Sequence, residues 1–367
     1  MILMNDFKAE PEEIREAMLA AAKRVLDSGW FVLGKEVENF EREWAAVCGT
    51  TYGVGVGNGM DAIEIALRAV DIGPGDEVIT TSMTAFATVL AILRAGAVPV
   101  LADIEADTGL LSIESVRRCI SARTKAVVLV HLYGQVRNMD AWTALCKERD
   151  IVLIEDCAQA HLASWGGRMA GAFGRAGAYS FYPTKNLGAP GDGGMLVTQD
   201  EALAKKSARL RNYGQSVRYH HPELGMNSRL DEIQAAMLGA RLKWLREFTQ
   251  RRREIADAYR VGIRQPLVTL LSAPQEPAAH AFHLFVVICE AREQLQKHLQ
   301  SCGIQALIHY PIPVHQQSPC SELARDPEGL RHTERHANTC LSLPCHPQMS
   351  VDDVEAVIAA VNSFDGG

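Results

Sequence analysis

The chain has 367 residues, 47% of them hydrophobic and 22% charged, which is the composition of a soluble globular protein with room for two domains. A net charge of −7 argues against a nucleic-acid binder, although a local basic pocket for an anionic substrate survives such a total. Nine scattered cysteines without a Cys-x-x-Cys pair point to reduced thiols rather than a disulfide frame or a zinc cage. Met1–Lys8 carries no signal-peptide pattern, and the apolar run Ala85–Leu93 stops at Arg94, far short of a bilayer span. A cytoplasmic protein without membrane segments is expected.

In chain order, Pro11 opens a helix that Ser28-Gly29 stops. Trp30-Phe31-Val32-Leu33-Gly34 then reads as an apolar loop, either exposed or packed in the core. Glu36–Val47 is a second helix. A short strand, Thr51–Val56, leads through Gly57-Asn58-Gly59 into a helix from Asp61 to Ala69. A glycine turn at a helix start exposes backbone N–H groups, which suits a phosphate. Strands at Glu77–Thr81, Val98–Ala102 and Ala126–Val130 alternate with helices at Thr84–Leu93, Ile113–Cys119 and Met139–Arg149. That alternation predicts an α/β protein with a parallel sheet covered on both faces.

His131-Leu-Tyr-Gly-Gln135 follows a strand end, and a lone histidine there is expected to be structural. Ile151-Val-Leu-Ile-Glu-Asp156 looks like a buried parallel strand whose carboxyl end, bearing two acids, reaches a crevice. Ser180-Phe-Tyr-Pro-Thr-Lys185 follows another apolar run. A carboxylate and a lysine brought to one sheet edge are the two groups that pyridoxal phosphate requires. The lysine holds it as a Schiff base and the acid pairs with its ring nitrogen. Thr198-x-x-Glu201 predicts a capping box for a helix ending at Leu210. Asn227-Ser-Arg-Leu-Asp-Glu232 is expected to begin a long helix, with Asn227 as a possible N-cap. Arg241–Glu254, with Arg251-Arg252-Arg253, reads as a solvated helix face. Gln265–Pro277 is a surface loop, Phe282–Ile288 a strand, Ala291–Gln300 a helix and His309–His315 a rigid loop. His332 and His336 at helical spacing are expected to be solvated, with no metal site. Val351–Ser363 is the last helix.

Several of these segments together resemble the sugar aminotransferases called DegT/DnrJ/EryC1/StrS, a branch of the fold type I pyridoxal-phosphate enzymes. They are Asn58-Gly-Met-Asp61, Gly73-Pro-Gly-Asp-Glu-Val78, His131–Gln135, Glu155-Asp-Cys-Ala-Gln-Ala-His161, Phe181–Gly188, Asn227–Glu232 and His309-Tyr-Pro-Ile-Pro313. They stand in the family's order and span nearly the whole chain. The resemblance implies a large cofactor-binding domain over residues 1–245, with a mostly parallel sheet covered by helices, and a smaller C-terminal α+β domain over 246–367. It makes Lys185 and Asp156 catalytic. It places Gln159 over the cofactor's phenolic oxygen and Phe86 against its ring face, with Gly59, Met60, Asp61 and Ser180 at its phosphate. The family usually carries Thr or Ser where Met60 stands, so one hydroxyl contact is missing here. The resemblance also implies a homodimer with shared sites, in which Asn227 reaches the neighbouring subunit's cofactor phosphate and the Trp30–Gly34 loop helps pair the subunits. Arg229, His309 and Tyr310 become candidate substrate contacts.

The implied reaction moves an amino group from L-glutamate to a nucleotide-linked keto-sugar. His131–Gln135 and His309–Pro313 are more similar to members that act at C3 than at C4. A 4-keto-sugar or a cyclitol acceptor stays open. A dehydratase branch has His in place of the lysine, and Lys185 argues against it. A non-catalytic regulator would want a DNA-binding module, for which no segment is basic enough.

Overall fold

The computed structural model describes residues 1–366. Its strands in chain order are β1 (Tyr52–Val56), β2 (Glu77–Thr81), β3 (Val98–Ala102), β4 (Thr124–Val130), β5 (Val152–Asp156), β6 (Ser164–Trp165), β7 (Arg168–Met169), β8 (Ala176–Ser180), β9 (Gly194–Thr198), β10 (Thr269–Leu270), β11 (Phe285–Ile288), β12 (Ala324–Arg325) and β13 (Cys340–Leu343). Eight of them form one sheet in the order β1-β9-β8-β5-β4-β2-β3-β12. Only β9 runs against the others, pairing antiparallel with both β1 and β8. The expected α/β architecture with a mostly parallel sheet is the one observed.

Side chains alternate across a strand, so a sheet buried on both faces needs apolar residues at every position. Val127 and Leu129 of β4 join a core with Trp44, Trp142 and Phe181 on one face. Ala126 and Val128 join Ile65, Leu67 and Ile92 on the other. Trp44 is fully buried, and its truncation to Ala would cost about 3–5 kcal/mol. A third core gathers β11 and β13 with the helices Leu245–Gly262, Arg292–Ser301 and Val351–Asn362. The C-terminal segment also lends β12 to the central sheet, parallel to β3.

Local signals explain several helix ends. Gly29 and Gly49 close the first two long helices with φ of 65° and 68°, a conformation glycine adopts without strain. Asn58 caps the helix Gly59–Ala69 by accepting the Asp61 N–H at 2.8 Å. Three expectations need correction. The N-cap of the helix Glu201–Leu210 is Asp200, which accepts from Ala202 and Leu203, while the Thr198 hydroxyl donates to the Arg175 carbonyl. The Thr side chain is already engaged by the neighbouring Arg175 carbonyl, and an acid two residues nearer the helix takes the cap. Asn227 does not start a helix: it pairs with Asn212 in an isolated bridge, and the helix begins at Glu232 after Asp231. Gln265–Pro277 contains β10, which pairs with β11.

The arginine run is not a solvated face. Arg252 is buried, and its guanidinium donates to the carbonyls of Phe282, His283 and Cys345. Arg253 donates to those of His280, Leu162 and Ala278. A planar guanidinium with five donors satisfies loop carbonyls that no ladder reaches. Trp30 and Phe31 are 62% and 53% exposed, so core packing is excluded for them. Among the described residues no helix is long and apolar enough to cross a membrane.

Candidate active site

The parallel strands end at one edge, and in open α/β sheets ligands bind outside that edge. β1 ends in Gly57-Asn58-Gly59, β2 leads into the helix Phe86–Arg94, β4 runs into His131–Gln135, β5 ends on Asp156 and β8 on Ser180. The fold thereby assembles most of the expected site residues from five separate segments.

Asp156 is buried at the end of β5. Its Oδ2 accepts from the Thr88 hydroxyl at 2.8 Å and its Oδ1 from the Ala158 N–H at 3.1 Å. Thr88 spends its proton on the acid, so the 2.9 Å contact with Thr84 is donated by Thr84. Burial pushes the Asp156 carboxyl above its ordinary range, opposed by these hydrogen bonds and by the positive charge of Lys185. Such an acid is poised to receive a cation. Lys185 lies in the loop after β8, its N–H donating to the Tyr182 carbonyl at 2.8 Å. Desolvation lowers its amine to about 8, and Asp156 works in the opposite direction. Lys185 also lowers the pKa of His161, His283 and His309, each also depressed, and more strongly, by burial. One amine thus stands among an acid and three neutral imidazoles.

The phosphate end is built from close backbone approach. The first intrahelical bond of Gly59–Ala69 runs from Ala62 N–H to the Asn58 carbonyl, which leaves the N–H groups of Gly59 and Met60 without intrahelical partners. The Asp61 N–H is taken by Asn58. A Cβ on Gly59 would come within 2.7 Å of the Ser180 Cβ, so only glycine lets the turn and the serine share this corner. Phe86 opens its helix half-buried, packed against the cluster that contains Val314. A desolvated lysine, an under-satisfied buried carboxylate and a helix N-terminus beside a hydroxyl together fit pyridoxal phosphate.

On the other side, Gln159 accepts the Tyr133 N–H at 2.6 Å and donates to the Tyr310 hydroxyl at 3.3 Å. Burial raises Tyr310 to about 12, so it stays protonated. His309 pairs through Nδ1 with Ser342 at 2.9 Å and is held at about 4 by burial and then by Lys185. Asn227 and Arg229 stand apart. Asn227 is exposed, and Arg229 lies over the Tyr213 ring at 5.4 Å with a bond to Asn212. No described contact joins either to Asp156 or Lys185.

His131 has the structural part expected of it: its Nε2 pairs with Glu155 at 2.9 Å. His131, Glu155 and Cys157 bring ligand atoms within 4.8 Å of one another, but the Glu155 oxygens also accept the N–H groups of Gly171, Phe173 and Gly174. His336 is buried against Tyr133, not solvated, and burial lowers it to about 4. Sequence reasoning passed over Thr88, Asn186 and His283. The last two pair at 3.1 Å, and Asn186 also donates to the Ala281 carbonyl. Thr88 inside an apolar helix, four residues after Thr84, was a usable signal, since a hydroxyl on a buried helix face needs a polar partner.

The chain is similar to known proteins along nearly its whole length. The model of the DegT/DnrJ/EryC1/StrS aminotransferase family matches residues 12–362. The chain is 45% identical over 353 residues to the dTDP-3-amino-3,6-dideoxy-alpha-D-galactopyranose transaminase of Aneurinibacillus thermoaerophilus, covering 96% of this chain and 95% of that one. It is 45% identical over 362 residues to the dTDP-3-amino-3,4,6-trideoxy-alpha-D-glucose transaminase of Streptomyces venezuelae, covering 98% and 95%. The crystal structure of S. venezuelae DesV with a ketimine intermediate superposes with a TM-score of 0.94 at 43% identity, over 99% of this chain and 97% of that one. The chain therefore belongs to the DegT/DnrJ/EryC1/StrS aminotransferase family and is a pyridoxal-phosphate-dependent aminotransferase.

Proposed function

We propose that the protein moves the amino group of L-glutamate onto C3 of a nucleotide-linked keto-deoxyhexose, giving an amino sugar for glycan biosynthesis. The observation that carries this is the convergence of the Lys185 amine and the Asp156 carboxylate with Tyr310 and Gln159 at one sheet edge. The two 45%-identical relatives, both named for 3-amino sugars, support the acceptor.

In this reading Lys185 would anchor the cofactor covalently and, as a neutral amine, would move the proton at the donor's α-carbon. Its lowered pKa favours that form. When bound, pyridoxal phosphate supplies the electron sink for the α-carbanion. Asp156 would pair with the ring nitrogen, and Thr88 and Ala158 fix its orientation. Gly59 and Met60, whose N–H groups have no intrahelical partner, would hold the phosphate with the Ser180 hydroxyl, whereas the Asp61 N–H is already taken by Asn58. Backbone donors do this work where Met60 brings no hydroxyl. Phe86 would cover one ring face, and the remaining N–H of Gln159 would serve the phenolic oxygen. His309 and Tyr310 meet the sugar, with Arg229 as a further substrate contact.

We also propose a homodimer in the cytoplasm with shared active sites. The exposed Trp30 and Phe31 support an apolar subunit contact, and the exposed Asn227 is free to reach a neighbouring subunit's phosphate. The chain divides into 1–245 and 246–367, with the helix Leu245–Gly262 opening the second unit. The test is a panel of dTDP- and UDP-linked 3-keto and 4-keto sugars, and a cyclitol ketone, each with glutamate. A 3-amino sugar is expected. Amination of only the 4-keto sugar or the cyclitol would overturn the assignment.

A further inference from the structure

Tyr133 occupies a crossing that none of these roles uses. It sits in the turn after β4, buried, with a left-handed backbone at φ 62°. Its N–H donates to Gln159 Oε1 at 2.6 Å. Its hydroxyl donates to the His309 carbonyl at 2.7 Å and lies 2.9 Å from His336 Nε2. Gln159 Nε2 in turn donates to the hydroxyl of Tyr310, the residue after His309. The circuit closes: Tyr133 backbone to Gln159, Gln159 to Tyr310, and His309 back to the Tyr133 side chain.

We propose that Tyr133 is a positioning residue for the sugar half of the reaction, spacing the His309–Tyr310 segment from Gln159, with His336 as its anchor. The claim rests on the reading that His309 and Tyr310 meet the sugar. A hydroxyl has one proton, and a carbonyl can only accept, so the Tyr133 proton goes to His309. His336 must then donate from Nε2, which fixes its neutral tautomer. Burial keeps this imidazole uncharged near neutral pH. The ring is held in place as well. It stacks on Tyr133 with centroids 5.9 Å apart, and a Cβ added at Gly109 would approach its Cε1 to 2.9 Å. A rigid imidazole thus aims a rigid phenol at the one carbonyl that sets where Tyr310 stands. The Tyr133 backbone bond to Gln159 does not depend on the hydroxyl, so the cofactor side is insulated from its removal.

The two half-reactions separate the roles. Purified enzyme loaded with pyridoxal phosphate is mixed with L-glutamate, or with a dTDP-linked 3-amino-3,6-dideoxyhexose run in the reverse sense. The change in cofactor absorption is followed, and binding of the amino sugar is measured by calorimetry. Tyr133→Phe is expected to weaken sugar binding and raise the sugar KM about tenfold, the effect of one lost hydrogen bond with a stranded partner. The glutamate half and the visible absorption stay at wild-type values, while the melting temperature falls by a few degrees because the His309 carbonyl and the His336 N–H lose their buried partner. His336→Ala shows part of the same sugar defect, and His336→Gln, which retains an N–H donor, recovers from it. An unchanged sugar KM in Tyr133→Phe, while Tyr310→Phe and His309→Ala are impaired, would overturn the positioning role alone. If those two variants leave the sugar half untouched, the assignment of the segment to the sugar falls, and this proposal with it. Equal slowing of both halves would make Tyr133 merely structural.

Discussion

Glu155 and Asp156 are neighbours on β5, yet the pleat sends them to opposite sides and into opposite circumstances. The Glu155 carboxylate accepts from His131 and from three backbone N–H groups, at Gly171, Phe173 and Gly174. A carboxylate offers about four lone-pair sites, so Glu155 is saturated. Its work is to hold the turn that feeds β8, and thus to aim Ser180 and Lys185. Asp156 accepts only from Thr88 and Ala158, and burial raises its pKa. The saturated acid builds the edge, and the unsaturated one keeps capacity for a cation. Counting the partners of a buried carboxylate separates the two roles where residue type does not.

Substitutions can break this contrast, and the largest effect belongs to the saturated acid. Glu155→Ala strands an imidazole and three N–H donors and is expected to cost about 3–5 kcal/mol of stability in denaturant unfolding. The fraction that folds should still bind cofactor. Asp156→Asn should leave stability nearly unchanged while turnover falls about 10²–10³-fold, the scale of losing one preorganised electrostatic partner. An exchanged pattern, with Glu155→Ala stable but inactive, would refute the division of labour. The smallest effect sharpens it. Only an unprotonated amine attacks an aldehyde, and the Lys185 pKa is lowered to about 8 from 10.5. Cofactor uptake by the apo-protein should therefore rise with pH through about 8 and level off above it. Asp156 raises the Lys185 pKa, so Asp156→Asn should move this midpoint to lower pH. A rise that continues past pH 10 would mean an unshifted lysine.

Much of this was legible in the sequence because strand ends announce themselves. An apolar run that stops in Glu-Asp, and another that stops before Ser180, place their residues at one sheet edge without knowledge of long-range contacts. The glycine turn at Gly57–Gly59 was legible for the same reason. What stayed hidden depends on which segments meet. Thr88 matters only because its helix lies beside β5. Tyr133 and His336 matter because residues far apart in the chain are brought to 2.9 Å. Arg252 was misread because a charged helix looks solvated until loop carbonyls arrive to receive its donors.

The proposed chemistry requires a covalent link between Lys185 and the cofactor. Holoenzyme reduced with borohydride, digested and mapped by mass spectrometry tests this directly. A phosphopyridoxyl mass on the peptide carrying Lys185, and absent from Lys185→Ala treated alike, is the predicted result. The same mass on a different lysine, or none on a protein that turns over, would contradict it.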